Sequence, residues 1–351
     1  MIINSDGSIE RSFKESVCFD DVLLKPQYSD IESRTEIDIG NKLGGNRYRL
    51  PIIASPMDTV TEYKMALALS RNGGIGVVHR YNSIEEQSGI IGRLEMDPEV
   101  WTVAAAVGIT GDYLERSQEL VSHGADLLCI DVAHGHHILV KEALTNLREN
   151  LGNNVHIMAG NVATLEAFND LANWGANSIR VGVGGGSICS TRVQTGHGMP
   201  TLQSVLDCAQ SDRDALLIAD GGIKTSGDIV KCLAAGADFV MLGSLLAATD
   251  ESPGEVFTNT HGKQYKVYRG MASKEAQLAW RGSTSSMEGV STTLPYKGPV
   301  GFILSELERG IRSGFSYTGA RTIEELHAKA KFVRQTNASQ VESSTHILRR
   351  N

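Results

Sequence analysis

Residues 155–183 read VHIMAGNVATLEAFNDLANWGANSIRVGV, and their pattern decides the fold. A short apolar run, VHIMAGN (155–161), leads into TLEAFNDLANWGA, and a second apolar run, SIRVGV (178–183), follows. Short apolar runs of this kind read as strands buried on both faces, and a helix between two of them makes a βαβ unit. The Gly-Ala that ends the helical stretch is a C-cap signal.

Working outward, the same unit recurs. The apolar runs are PIIAS (51–55), GIGVVH (74–79), TVAAAVG (102–108), LLCIDVA (127–133), the two above, ALLIADGG (215–222) and FVMLGS (239–244), eight in all. The helical stretches TEYKMALALSRNG, GDYLERSQELVSHGA, HILVKEALTNLREN and TSGDIVKCLAAGA lie between them. Eight βα units in succession predict an α/β protein, a (β/α)8 TIM barrel. A doubly wound open sheet usually carries fewer strands and a G-x-G-x-x-G after the first, and neither is seen. Residues 251–300 break the pattern: they are polar, rich in Gly, Ser and Thr, and too long for an ordinary loop. They are expected to form a flap after strand eight. A last helix at 322–333 is expected to close the barrel, and the polar tail, about 337–351, to be mobile. The whole of 1–351 reads as one catalytic barrel domain.

Composition narrows the function. The chain has 33 Lys and Arg against 41 Asp and Glu, a net charge of −8, with no basic block. That argues against nucleic acid as the partner. No apolar run is long enough for a transmembrane helix, and the polar start MIINSDGSIERSFKES lacks a signal-peptide core. Five widely spaced cysteines without a CxxC fit a reducing compartment, so a cytoplasmic location is expected. Glycine, at 37 residues, is abundant, which means many places where backbone approaches something closely.

In a barrel the chemistry sits at the C-terminal ends of the strands. Polar and glycine residues gather at those ends here: Ser55, Met57 and Asp58; His79; Asp131 and His134; Asn161; the loop 182–192; Asp220 to Gly222; Gly243 and Ser244. The strongest signal is GVGGGSICSTR (182–192), four glycines before Cys189. Glycines let backbone N–H groups converge on an anion and leave the cysteine in an open turn, where a thiolate could act as nucleophile. Cys18, Cys129, Cys208 and Cys232 lie in strand or helix patterns and read as core. The loops ADGG (219–222) and LGS (242–244), after strands seven and eight, are placed as the usual phosphate pocket of a barrel. Asp220 would accept hydrogen bonds from ribose hydroxyls. His134, His136 and His137 invite a metal reading, but adjacent histidines cannot easily face one ion. Trp280 could stack on a ligand ring or anchor the flap. An aldolase-type barrel would want a lysine at a strand end, and none of these ends carries one.

FDDVLLKP (19–26), SPMDTVTE (55–62), GGIGVVH (73–79), AGNVAT (159–164), GGGSICSTR (184–192), ADGGI (219–223), VMLGS (240–244), YRGMAS (268–273), LPYKG (294–298) and RSGFSYTGA (312–320) together resemble the inosine-monophosphate dehydrogenase / guanosine-monophosphate reductase family. The resemblance implies a purine-nucleotide oxidoreductase acting at C2 through a covalent cysteine thioimidate. It makes Cys189 the nucleophile, Thr191 its partner in handling the leaving group or water, and Glu288 the residue that contacts the purine and relays protons. Ser55, Met57, Asn161, Ser187, Asp220, Gly222, Gly243, Ser244, Tyr268, Gly270 and Met271 match nucleotide-binding positions. Asp131, Arg180 and Gly182 match the nicotinamide cofactor side. Gly184, Gly186 and the carbonyl of Cys189 match a potassium site, completed in the dehydrogenases by a neighbouring subunit's tail; Glu342-Ser343-Ser344 stands in a similar place. A homotetramer is implied, without the paired CBS regulatory module.

Such a family runs two reactions. A dehydrogenase oxidises IMP with NAD and hydrolyses the adduct to XMP, using an Arg-Tyr pair of the flap to activate water. A reductase takes ammonia from GMP and reduces the adduct to IMP with NADPH. The flap from Met271 to Glu288 has no Arg-Tyr, and 80–100 leave no room for the regulatory module, so GMP reductase is the expectation. SPMDTVTE and the Glu-Ser tail are more dehydrogenase-like, so IMP dehydrogenase, with Arg281 or Thr191 and Glu288 replacing the missing base, is the alternative. A non-catalytic nucleotide-binding barrel is a remote third.

Overall fold

The computed structural model describes residues 2–3, 9–10 and 15–343. Eight parallel strands close on themselves: β1 (Ile52–Ala54), β2 (Ile75–Val78), β3 (Ala104–Val107), β4 (Leu127–Asp131), β5 (His156–Val162), β6 (Ser178–Val181), β7 (Leu216–Asp220) and β8 (Phe239–Leu242). Closure comes from Val240, Met241 and Leu242 pairing with Ile52, Ile53 and Ala54. The expected barrel is the one found.

Side chains alternate along each strand, so every second residue points inward. The inward set packs as its own cluster: Ile53, Ile75, Val77, Ala104, Ala106, Leu127, Cys129, Met158, Ile218, Phe239 and Met241. The hairpin Asn41–Leu43 and Asn46–Tyr48 plugs the bottom, with Tyr48 edge-on to Phe239 at 6.0 Å. The outward set, including Ile52, Ala54, Val78 and Ile179, joins the helices in a second, larger cluster. The period of two also carries the inward register up to the mouth. Leu127, Cys129 and Asp131 share one face of β4, as do Leu216, Ile218 and Asp220 of β7. The plug below and the polar groups above are therefore set by one rule.

The helices that pack around the barrel are α1 (Tyr63–Arg71), α2 (Ile84–Glu95), α3 (Tyr113–Ser122), α4 (Ile138–Leu151), α5 (Leu165–Asn173), α6 (Thr201–Cys208), α7 (Ser226–Ala234) and α8 (Val300–Thr318). Side-chain caps fix several starts, such as Thr164 on α5 and Thr225 on α7. None of the helices described is long and apolar enough to cross a membrane.

Two expectations need correction. The helix that closes the barrel is α8, whose Val300, Leu304, Leu307, Ile311 and Phe315 are buried. The stretch expected as a helix over 322–333 is helical only at Ile323–Lys329; Phe332–Arg334 is a strand paired antiparallel with Val22–Leu24. Residues 251–300 are also more regular than a loop. Phe257–Thr258, Gln264–Arg269 and Ser291–Pro295 form a three-stranded antiparallel sheet, with a helix at Lys274–Arg281. Of the tail, Asn337–Glu342 is a helix capped by Thr336. Ser344 and the rest of the tail lie outside the described residues, as does most of the polar stretch before Glu15.

Candidate active site

A cavity of about 480 Å³ opens at the C-terminal mouth of the barrel. All the residues singled out from the sequence as catalytic, nucleotide, cofactor or cation positions line it: Ser55, Met57, Asp131, Asn161, Arg180, Gly182, Gly184, Gly186, Ser187, Cys189, Thr191, Asp220, Gly222, Gly243, Ser244, Tyr268, Gly270, Met271 and Glu288.

The floor is a buried charge network. The Arg180 guanidinium donates to Asp131 at 2.8 Å and to Asp220 at 2.9 and 3.2 Å. Burial alone would depress Arg180, but Cys129, Asp220 and Asp131 outweigh it and hold the group well above its ordinary value. Asn161 donates to Asp220 at 2.9 Å and to the Gly182 carbonyl at 2.9 Å. This network fixes the Asp220 carboxylate under the cavity. Gly182, at φ +148, lies so close to Asp220 that a Cβ would stand 1.9 Å from its carbonyl oxygen. Only glycine fits there.

The Cys189 loop hangs over this floor. Among the five cysteines Cys189 alone is exposed. Burial pushes the Cys129 thiol up to about 11, Cys208 up to about 12 and Cys232 well above its ordinary value, so those three are inert core thiols. The Cys189 thiol donates to Thr191 Oγ1 at 3.1 Å, and the Cys189 N–H donates to the Gly186 carbonyl at 3.1 Å. Thr191 is buried at the start of a short helix, which holds its hydroxyl against the sulfur.

The flap meets this loop through backbone. Cys189 bridges Gly289, Ser190 N–H donates to the Glu288 carbonyl at 2.9 Å, and Val290 N–H donates to the Ile188 carbonyl at 3.0 Å. Glu288 is thus held beside Cys189 although 99 positions separate them in sequence. Its carboxylate accepts from Ser286 Oγ at 3.0 Å.

Gly243 and Ser244 form a tight corner of the cavity after β8. A Cβ on Gly243 would sit 3.0 Å from the Tyr268 hydroxyl and 3.1 Å from Ser55 Oγ. Tyr268 is buried, and that burial pushes its phenol up to about 12. Arg269 clamps Asp58 at 2.6 and 2.9 Å, tying the flap's base to the end of β1.

Sequence reasoning missed Arg80, Tyr81 and Gln277, which also line the cavity. Arg80 approaches Asp131 at 3.6 Å and donates to its carbonyl at 3.1 Å. Tyr81 donates to the Met271 carbonyl at 2.8 Å and stacks on Trp280, centroids 5.8 Å apart and planes 14° apart. Trp280 therefore anchors the flap. The signal for the first two was their place just after His79 at a strand end. The histidines have other roles. His79 is buried, accepting from Tyr81 N–H at 3.1 Å and meeting Glu62 at 3.1 Å. His136 pairs with Asp170 at 2.9 Å, and His137 caps α4. No metal-holding group of three or more His, Cys, Asp or Glu occurs among the described residues.

An eight-stranded barrel with an exposed cysteine over a buried Asp-Arg-Asp floor, closed by a flap, defines the class: an α/β-barrel protein whose cavity pairs an accessible thiol with glycine-rich loops. A family model described as IMP dehydrogenase / GMP reductase domain matches residues 16–346. The chain is 35% identical to inosine-5'-monophosphate dehydrogenase of Nitrosopumilus maritimus, over 95% of this chain and 98% of that protein. It is 32% identical to GMP reductase of Leishmania major, over 95% and 97%. It superposes with a TM-score of 0.90, at 31% identity, on a crystal structure of a cysteine-to-alanine variant of Trypanosoma brucei GMP reductase in complex with guanosine 5'-monophosphate, covering 95% of this chain and 98% of that one. The chain belongs to the IMP dehydrogenase / GMP reductase family, purine-nucleotide oxidoreductases that use NAD(P).

The alignments with both relatives are longer than this chain. They run over 471 positions with the dehydrogenase and 477 with the reductase, both more than the 351 residues of this chain. Both relatives hold residues that this chain lacks. Shortness therefore does not separate the two reactions.

Proposed function

We propose that the protein is a GMP reductase, converting GMP and NADPH to IMP, ammonia and NADP through a thioimidate on Cys189. The observation that carries this is the flap. Between Met271 and Glu288 it faces the cavity with Met271, Ala272, Gln277, Arg281, Ser285, Ser286 and Glu288, and with no Arg-Tyr pair to activate water. Without such a pair, deamination and reduction are better served than hydrolysis.

The Cys189 sulfur attacks purine C2 and its proton leaves through Thr191 Oγ1, 3.1 Å away. Glu288 faces the N1 side of the purine and relays that proton to the exocyclic amine, which departs as ammonia. The nicotinamide cofactor, when bound, supplies the hydride that C2 receives as the thiolate leaves. Asp220, held by Arg180 and Asn161, accepts from the ribose hydroxyls. Gly222, Gly243 and Ser244 take the phosphate on main-chain N–H groups, with Tyr268 and Ser55 walling that corner. Ser187, Gly270, Met57 and Met271 complete the nucleotide side. Asp131, Arg180 and Gly182 form the cofactor side. Two buried polar atoms there, Arg80 Nε and Asn161 Oδ1, make no hydrogen bond among the described residues, although Arg80 Nε stands 3.6 Å from the Asp131 carboxylate, and this fits a polar ligand lying against them.

The carbonyls of Gly184, Gly186 and Cys189 are hard oxygen donors of the type that holds potassium. Gly186 keeps a lone pair for a cation beyond the one it gives to Cys189 N–H. A neighbouring subunit's Glu342-Ser343 would complete the set. The protein is proposed as a cytoplasmic homotetramer, without nucleic-acid or membrane partners; light scattering reporting a mass other than four times 37.8 kDa would overturn the tetramer.

One observation favours IMP dehydrogenase as the second reading. Arg281 lines the cavity and makes no ion pair among the described residues, so its guanidinium is free to act on water. A single absorbance assay separates the two: NADPH consumption with GMP supports the reductase, and NADH formation with IMP overturns it.

A further inference from the structure

The flap around Glu288 has little apolar interior. Its helix, Lys274–Arg281, buries only Ala276 and Gln277, and Leu278, Met287 and Val290 are exposed. One amide ties the flap's two ends together. Gln277 is 3% exposed and uses every hydrogen-bonding position of its side chain. Its Nε2 donates to the Ala272 carbonyl at 3.0 Å and to the Ser286 carbonyl at 3.0 Å. Its Oε1 accepts from the Ser285 N–H at 2.7 Å and from Ser285 Oγ at 3.1 Å.

These bonds tie the start of the flap to its end. The end is the strip that reaches the nucleophile: Ser286 Oγ donates to the Glu288 carboxylate, and Glu288 to Val290 pairs by backbone with Ile188 to Ser190. We propose that Gln277 is a positioning residue, a polar staple that sets the Glu288 carboxylate opposite Cys189. The inference rests on the proposed proton-relay role of Glu288. A buried amide with all its bonds made confers one geometry, whereas a flap this poor in apolar contacts would otherwise sample several. Misplacing a reacting group by about 1 Å costs on the order of 100-fold in rate.

The test uses Gln277→Glu, which keeps shape but loses both donors, and Gln277→Met, which keeps length but loses all four bonds. Two readouts are taken on the full chain: hydrogen exchange at the Ser285 amide, and steady-state kinetics with whichever nucleotide and cofactor pair the protein turns over. Both variants should speed Ser285 exchange and lower kcat by about 10- to 100-fold, with the nucleotide KM changed less than about threefold and Tm unchanged. Because the staple holds no barrel strand, a fall in Tm together with a rise in KM would mark a merely structural role and overturn the proposal. Unchanged Ser285 exchange, or kcat within about twofold of the parent in both variants, would do the same. Glu288→Gln separates the layers. If it is slow while the Gln277 variants are normal, only the positioning claim falls. If it turns over at the parent rate, the relay role of Glu288 falls and the positioning claim with it.

Discussion

Cys189 differs from the other four cysteines in surroundings rather than in chemistry. Glycines 182, 184, 185 and 186 keep side chains away from its loop, and its thiol donates a hydrogen bond to Thr191 Oγ1. Cys129, by contrast, sits inside the barrel with its thiol pushed to about 11 by burial. Cys189→Ala should lower turnover on the order of a thousand-fold or more while leaving GMP binding by calorimetry nearly intact. Several per cent of residual activity would contradict the nucleophile assignment. At this scale the sequence was legible where glycines and strand ends flagged a residue. It was silent on Gln277, because an amide on an exposed-looking helix shows no periodicity and its partners are recruited from both ends of the flap. Tyr81 was passed over for a similar reason: its stacking partner Trp280 is 199 positions away.

The barrel strands could be read as elements because they are buried on both faces, and burial writes itself as unbroken apolar runs. The flap sheet could not. Its strands Gln264–Arg269 and Ser291–Pro295 pair edge to edge with many side chains exposed, so neither shows an apolar run or a clean alternation. The helix α8 was hidden for another reason: Gly301, Gly310 and Gly314 interrupt its composition, yet Gly310 and Gly314 lie where α7 comes close, against Ser226 and Val230. The flap's hold on the mouth has a separate anchor in the Trp280–Tyr81 stack. Aromatic pairs of this kind contribute about 0.5–1.5 kcal/mol beyond burial. Trp280→Ala should therefore raise hydrogen exchange across 283–287 by a few-fold to about tenfold. Exchange no faster than in the parent would show that the stack does not hold the flap.

At the scale of the whole molecule, one half-buried imidazole contributes to the dependence of stability on acid. His156 begins β5, packs beneath the hairpin turn at Gly44, and meets Ser178 Oγ at 2.8 Å. Burial, with Arg148 nearby, lowers it from 6.5 to about 4. The unfolded chain thus takes up that proton first. The contribution is fully present above pH 6.5 and is lost as the pH falls toward 4, about 3 kcal/mol in all. His156→Gln should flatten that part of the denaturant-stability curve; a variant with the parent's slope between those values would refute it.

The barrel wall keeps two apolar populations apart, with Phe239 and Met241 inside the barrel and Phe168 and Leu171 among the helices. The wall consequently acts as insulation, and damage on one side should go unnoticed on the other. Shaving Phe239 to Leu and Phe168 to Leu in one molecule should destabilise it by the sum of the separate losses, within about 0.5 kcal/mol in a double-mutant cycle. A protein with such a partition can be re-tuned from its outer shell without disturbing the pillar on which its reactive end is mounted.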